Sequence, residues 1–171
     1  MRSRWLKVGF GTLALSACAL GAYEGRAAYA ASRFAPVRAE LDALSFPAYA
    51  PQKVVYHVNG DGAWFDRAYV DLLGSIRNHV NAVGPDKIDV RIVLQGRGLK
   101  MLADAPGNDR LKERVDWLRA RGVRFEICRN SLIDSRTAPS ELYGVEPADV
   151  IPAAVAEIAS LQGAGYVYIR P

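Results

Sequence analysis

Val123-Arg-Phe-Glu-Ile-Cys-Arg-Asn-Ser131 is the stretch on which the fold reading turns. Val123, Phe125 and Ile127 alternate with Arg124, Glu126 and Cys128, the period of two that marks a strand. Gly122 punctuates its start. Ser131 and Asp134 stand at the spacing of a capping box, so a helix is expected to open there, with Ser131 read as its cap rather than as a nucleophile. Cys128 then falls at the C-terminal lip of a strand, just before a helix N-terminus. In an open α/β sheet that lip is where ligands bind. The positive end of the helix, with Arg124, Arg129 and Arg136 near in sequence, favours thiolate over thiol. The competing reading is an inert cysteine, since this residue type is among the most often buried.

Outward from this stretch, strands and helices alternate. Upstream, Lys53–Val58 reads as a buried strand and Asn59-Gly-Asp-Gly62 as a turn that accounts for Asp61. Phe65, Tyr69, Leu72, Leu73, Ile76, His79, Val80 and Val83 recur at helical spacing, and Gly84-Pro85 closes that helix. Ile88–Leu94 is a second strand, Gln95-Gly-Arg-Gly98 a turn into a short helix around Leu99–Leu102, and Leu111, Val115 and Leu118 mark a further helix. Downstream, Asp149–Ile151 is a short strand, and Ala154, Val155, Ile158 and Leu161 share one helical face. Tyr166–Ile169 is the last strand. This order calls for a parallel sheet covered on both sides by right-handed crossovers.

The chain has 171 residues, enough for one domain and a leader. Its net charge of +4 owes much to Arg2, Arg4 and Lys7; without them 19 basic residues face 18 acidic ones, and nucleic-acid binding has no support. The basic start is followed by the apolar Val8–Leu15, too short to span a membrane and fitting a secretory signal. Leu15-Ser-Ala-Cys18 resembles a bacterial lipobox. Residues 1–17 are therefore read as a signal peptide and Cys18 as the lipidation site, facing the periplasm. Cleavage after Ala28-Tyr-Ala30, releasing a soluble periplasmic protein, is the alternative. Residues 18–51, Ala-rich and then punctuated by Pro36, Pro47 and Pro51, read as a tether with a short helix over Val37–Leu44. The domain proper is 52–171.

Few residues offer chemistry. Gly96, Arg97 and Gly98 sit between a strand and a helix, where backbone N–H groups approach an anion, although a tight turn also explains the glycines. Asn59 ends a strand on the same side. His57 and His79, the only histidines, read as hydrogen-bonded packing residues. No Cys-x-x-Cys pair or Cys/His cluster exists, so neither a metal site nor a cofactor is expected.

Over residues 52–171 the ordered blocks Val54–Val58, Ile76–Asn81, Val93–Leu99, Gly122–Leu132, Val155–Gln162 and Gly165–Ile169 together resemble the DsrE/DsrF-like family of small sulfur-metabolism proteins. The resemblance implies a three-layer α/β/α sandwich with a five-stranded, mainly parallel sheet. It implies a homo-oligomer and a cysteine persulfide passed between a sulfur-donor and an acceptor protein. Cys128 is the cysteine placed to carry it, as sulfur carrier or sulfurtransferase, with Asn59, Gly96, Arg97, Gly98, Arg129 and Asn130 around it. The rival expectation is a non-catalytic oligomeric binding module for a small anion or a protein partner.

Overall fold

The computed structural model describes residue 32, residues 35–60 and residues 67–171. Residues 1–17, read above as a signal peptide, Cys18 and the turn at Asp61 lie outside the described residues. The chain divides into two compact units, Met1–Pro47 and Ala48–Pro171. In the first, residues 35–42 are helical, two residues earlier than the hydropathy suggests. No helix among the described residues is long and apolar enough to cross a membrane.

The second unit is built on five strands: β1 (Gln52–Val58), β2 (Ile88–Leu94), β3 (Arg124–Cys128), β4 (Val150–Ile151) and β5 (Val167–Ile169). Their order is β4-β3-β2-β1-β5, and every pairing is parallel. The helices are α1 (Arg67–Val83), α2 (Lys100–Asp104), α3 (Asp109–Arg119), α4 (Arg129–Ser135) and α5 (Ala154–Gly163). From β1 to β4 the chain steps steadily towards one edge. It then crosses the whole sheet to lay β5 against β1. A right-handed crossover in the reverse direction places its helix on the opposite face, so α5 lies apart from α1 and α3.

The two faces are unequal. On one, Val54, Tyr56, Val90, Ile92, Leu94, Phe125 and Ile127 pack against α1, α2 and α3 through Leu73, Ile76, Val80, Leu102, Leu111, Val115 and Leu118. On the other, Val55, Val93 and Cys128 meet Ala154, Ile158 and Leu161 of α5, with Tyr166 beside them. This explains a departure from the alternation in β3: Glu126 and Cys128 are buried like Phe125 and Ile127, because helices cover both sides. Val155 is also corrected. It was expected on the buried face of α5, yet it is 65% exposed, since one helix on a sheet buries only a narrow stripe.

The same face also carries a charged cluster. Arg91 lies 3.0 Å from Asp89 and 2.9 Å from Glu126, and the Tyr166 hydroxyl donates to Asp89 at 2.6 Å. Burial raises the Glu126 carboxyl above its ordinary value, against the opposing effect of Arg91. Its Oε2 is buried with no hydrogen-bond partner.

Both histidines are hydrogen-bonded packing residues. His79 Nε2 lies 2.7 Å from Gln52 Oε1 and Nδ1 lies 2.8 Å from the Tyr56 hydroxyl. An amide oxygen only accepts, so Nε2 carries the proton and Nδ1 accepts from Tyr56. Burial holds the ring below its ordinary 6.5, so the folded chain prefers it neutral. The unfolded chain therefore binds the proton more readily, and this contribution to stability is full above 6.5 and is lost as pH falls through the lower folded value. Urea unfolding of the wild type and of His79→Phe, measured from about pH 7 to about pH 5, should show the wild type losing stability faster on acidification. Parallel pH dependences would refute the assignment.

Candidate functional site

Cys128 ends β3 and immediately precedes α4, with an extended backbone at φ −65° and ψ 114°. It thus sits at the strand lip, as the sequence suggests. Its side chain turns towards α5 and is 2% exposed. Sγ accepts a hydrogen bond from the Ala154 N–H at 3.4 Å. Burial alone would push the thiol up. Hydrogen bonding by the Ser131 side chain and by the N–H groups of Ala154, Ser131 and Asn130 outweighs burial and holds it below the ordinary 9.0. Arg124, Arg129 and Arg136, expected to favour the thiolate, are all exposed; the donors that act are at closer range.

Ser131 is not the helix cap. The helix opens at Arg129, so Cys128 occupies the cap position and Ser131 lies inside the first turn, buried. Its hydroxyl oxygen accepts the Gly96 N–H at 2.8 Å, tying the turn after β2 to α4. That leaves the hydroxyl hydrogen for the sulfur.

The two glycines of the turn after β2 are required by the backbone. Gly96 has a φ of +54°, a left-handed conformation that suits glycine. A Cβ on Gly98 would run into the Val58 carbonyl oxygen, so the turn can approach the end of β1 this closely only with glycine there. Their N–H groups are engaged internally, Gly96 with Ser131 and Gly98 with the Gln95 carbonyl at 2.9 Å. The anion cradle read from sequence thus has these two donors already occupied.

The remaining predicted residues share the C-terminal edge of the sheet but divide among three depressions. Asn59 accepts from Arg170 at 3.5 Å and lines a cavity of about 310 Å³ with His57, Tyr69 and Arg170, outside the ends of β1 and β5 where the strand order reverses. Gly96 and Arg97 line another of about 390 Å³ with Lys100, Ser131 and Thr137. Arg129 borders a third with Leu132, Arg136 and Val150. Asn130 is exposed beside Cys128, and Cys128 lines none of the three. Among the described residues no group of three or more His, Cys, Asp or Glu side chains is placed to hold a metal ion.

The model of the DsrE/DsrF-like family matches residues 19–171. The chain belongs to that family. Two solved structures resemble this DsrE/DsrF-like chain. One is the protein of unknown function MTH1491 from Methanobacterium thermoautotrophicum, with a TM-score of 0.57 and 25% identity over 70% of this chain and 99% of that one. The other is the ychN protein from E. coli, with a TM-score of 0.49 and 15% identity over the same shares. Among curated proteins nothing matches.

Sequence reasoning about this family member missed one half-buried line. His57 Nε2 lies 2.9 Å from Gln95 Oε1, and His57 Nδ1 lies 3.0 Å from the Tyr168 hydroxyl. His57, Gln95 and Cys128 have the parity that points to α5, a signal that becomes readable once the strand register is known.

Two substitutions test the geometry. Ser131→Ala should raise the pH at which Cys128 ionises and cost about 1 kcal/mol, because the Gly96 N–H loses its acceptor. A thiolate midpoint that does not move would remove Ser131 from the site. Gly98→Ala should cost about 1–3 kcal/mol in chemical denaturation by forcing the turn away from β1. Wild-type stability in that variant would contradict the close approach.

Proposed function

We propose that this protein handles sulfur, with Cys128 carrying a sulfane sulfur as a persulfide. The observation that carries the reading is the set of hydrogen-bond donors around Sγ, which favours the thiolate although the atom is buried. A passive core thiol would be pushed the other way. The thiolate attacks the outer sulfur of a donor persulfide R–S–SH. The new S–S bond forms as the donor's S–S bond breaks, and R–S⁻ leaves with the electron pair. Cys128–S–SH results, with no net oxidation. A second thiol takes the outer sulfur by the same exchange.

The burial of Cys128 sets the access route. Ala154 begins α5, two residues after Pro152, and its N–H lies on the sulfur. Donor and acceptor reach Cys128 when the segment from Ile151 to Ala154 moves aside. Family membership suggests exchange with a protein donor or acceptor by a homo-oligomer, and the leader suggests a lipid on Cys18 and a location on the periplasmic side of a membrane. The lipid and the location are supported by the order of basic start, apolar stretch and Leu15-Ser-Ala-Cys18.

The 2% exposure of Cys128 favours a second reading, a binding module in which the sulfur has no chemistry. There the cavity beside Gly96, Arg97 and Lys100 would hold a small anion, and Cys128→Ser would keep function while Arg97→Ala weakened binding.

Intact-mass analysis after exposure to polysulfide decides between them. The carrier gains sulfur mass at Cys128 that dithiothreitol removes, and Cys128→Ser gains none. A wild-type mass that stays unchanged, in a chain whose Cys128 alkylates only after unfolding, would overturn the carrier reading.

A further inference from the structure

One side of α4 is basic and apolar at once. Arg129, Leu132 and Ile133 lie on the helix and Arg136 caps it, at the i, i+3, i+4 and i+7 spacing that gathers residues on a single face. With Pro139 and Val150 they line an open depression of about 470 Å³. Leu132 is buried, but Ile133 beside it is 56% exposed. Among the described residues neither Arg129 nor Arg136 has a carboxylate within ion-pair distance, whereas Arg91, Lys100, Lys112 and Arg119 each have one. Asp134, the acidic residue of α4, belongs to a different side of the helix and lines the depression beside Gly96 and Lys100.

The face adjoins the sulfur's surroundings on two sides. Arg129 follows Cys128 directly in the chain. Val150 opens β4, where it pairs with Ile127 while Ile151 pairs with Cys128. The Val150 wall of the depression therefore continues into Ile151–Ala154, the segment that moves aside in the carrier reading and whose Ala154 N–H is bonded to Sγ.

We propose that this face docks the protein that exchanges sulfur with Cys128, through a segment of that partner presenting carboxylates on either side of an apolar side chain. The apolar side chain covers Ile133. The flanking carboxylates take the two guanidinium groups, each of which offers a planar fork of donors that matches a carboxylate. Charges so placed set register and speed encounter more than they add affinity, which suits a partner that has to leave after each transfer. The purpose of the docking rests on the persulfide reading above; the surface itself does not depend on it.

The test uses the full chain, reduced and free of added sulfur, with a fluorescent Asp-Glu-Leu-Glu-Asp peptide as the probe. Anisotropy should show saturable binding that weakens as salt rises from about 50 to about 300 mM. Arg129→Glu and Arg136→Glu should each weaken it roughly tenfold and should take up the charge-reversed Lys-Arg-Leu-Arg-Lys peptide instead. Ile133→Ser should weaken binding of the acidic peptide and leave its salt dependence unchanged. All three residues are exposed, so these variants keep the fold. No saturable binding, equal binding of the two peptides by the wild type, or unaltered binding by both arginine variants would overturn the proposal. So would oligomers that dissociate on Arg129→Glu in sedimentation, since the face would then be a seam between copies of this chain. Peptide binding by a chain that gains no sulfur from polysulfide would sink the carrier reading and keep the surface; sulfur uptake without peptide binding would do the reverse.

Discussion

One helix has to cover the reverse side of the sheet. The chain lays down β1 to β4 in one direction with α1 to α4 interspersed, then has a single connection in which to return to the far edge. Right-handedness of that return puts α5, ten residues long, alone on the second face. Much that is particular to this molecule follows from that constraint. Ten residues cannot shield five strands, so apolar side chains gather under α5, and the same face also carries Arg91 between Asp89 and Glu126, with the Tyr166 hydroxyl on Asp89. The cysteine falls in the shielded half.

That position sets two effects against each other at the sulfur. A thiolate moved out of water loses solvation, which raises its pKa. Donors fixed by the fold repay the loss: the Ala154 N–H from α5, and the Ser131 side chain and nearby N–H groups from α4. The second set depends on the turn after β2, because Gly96 holds the Ser131 oxygen and Gly98 lets that turn press against the end of β1. The sulfur's environment is therefore assembled from β1, β2, α4 and α5 together. Membership of the DsrE/DsrF-like family fixes the architecture, while these local bonds give the site its character.

The sequence made the fold legible where burial is two-sided or periodic. Ile88–Leu94 was readable to the residue because Ile88, Val90, Ile92, Val93 and Leu94 are apolar and largely β-branched, and turn residues bound the run on both sides. The α1 helix was readable from Tyr69, Leu73, Ile76 and Val80, and the place of Cys128 from its strand and the following polar residues. What escaped was set by distant partners. Ser131 has the look of a cap, but its oxygen is claimed by Gly96, 35 residues away. Glu126 reads as exposed until α5 is known to cross it, and Val155 as buried until α5 is known to have a single apolar seat. The His57–Gln95 contact needs the β1–β2 register, which no local pattern encodes.

Ala154 is at once the first residue of the crossing helix and a donor to the sulfur. Sulfur and helix thus share an anchor point. With Cys128 2% exposed, the first turn of α5 is part of what separates the sulfur from solvent. Val155, exposed, follows Ala154 directly, so a single peptide bond separates the sulfur's donor from the solvent-facing side of the helix.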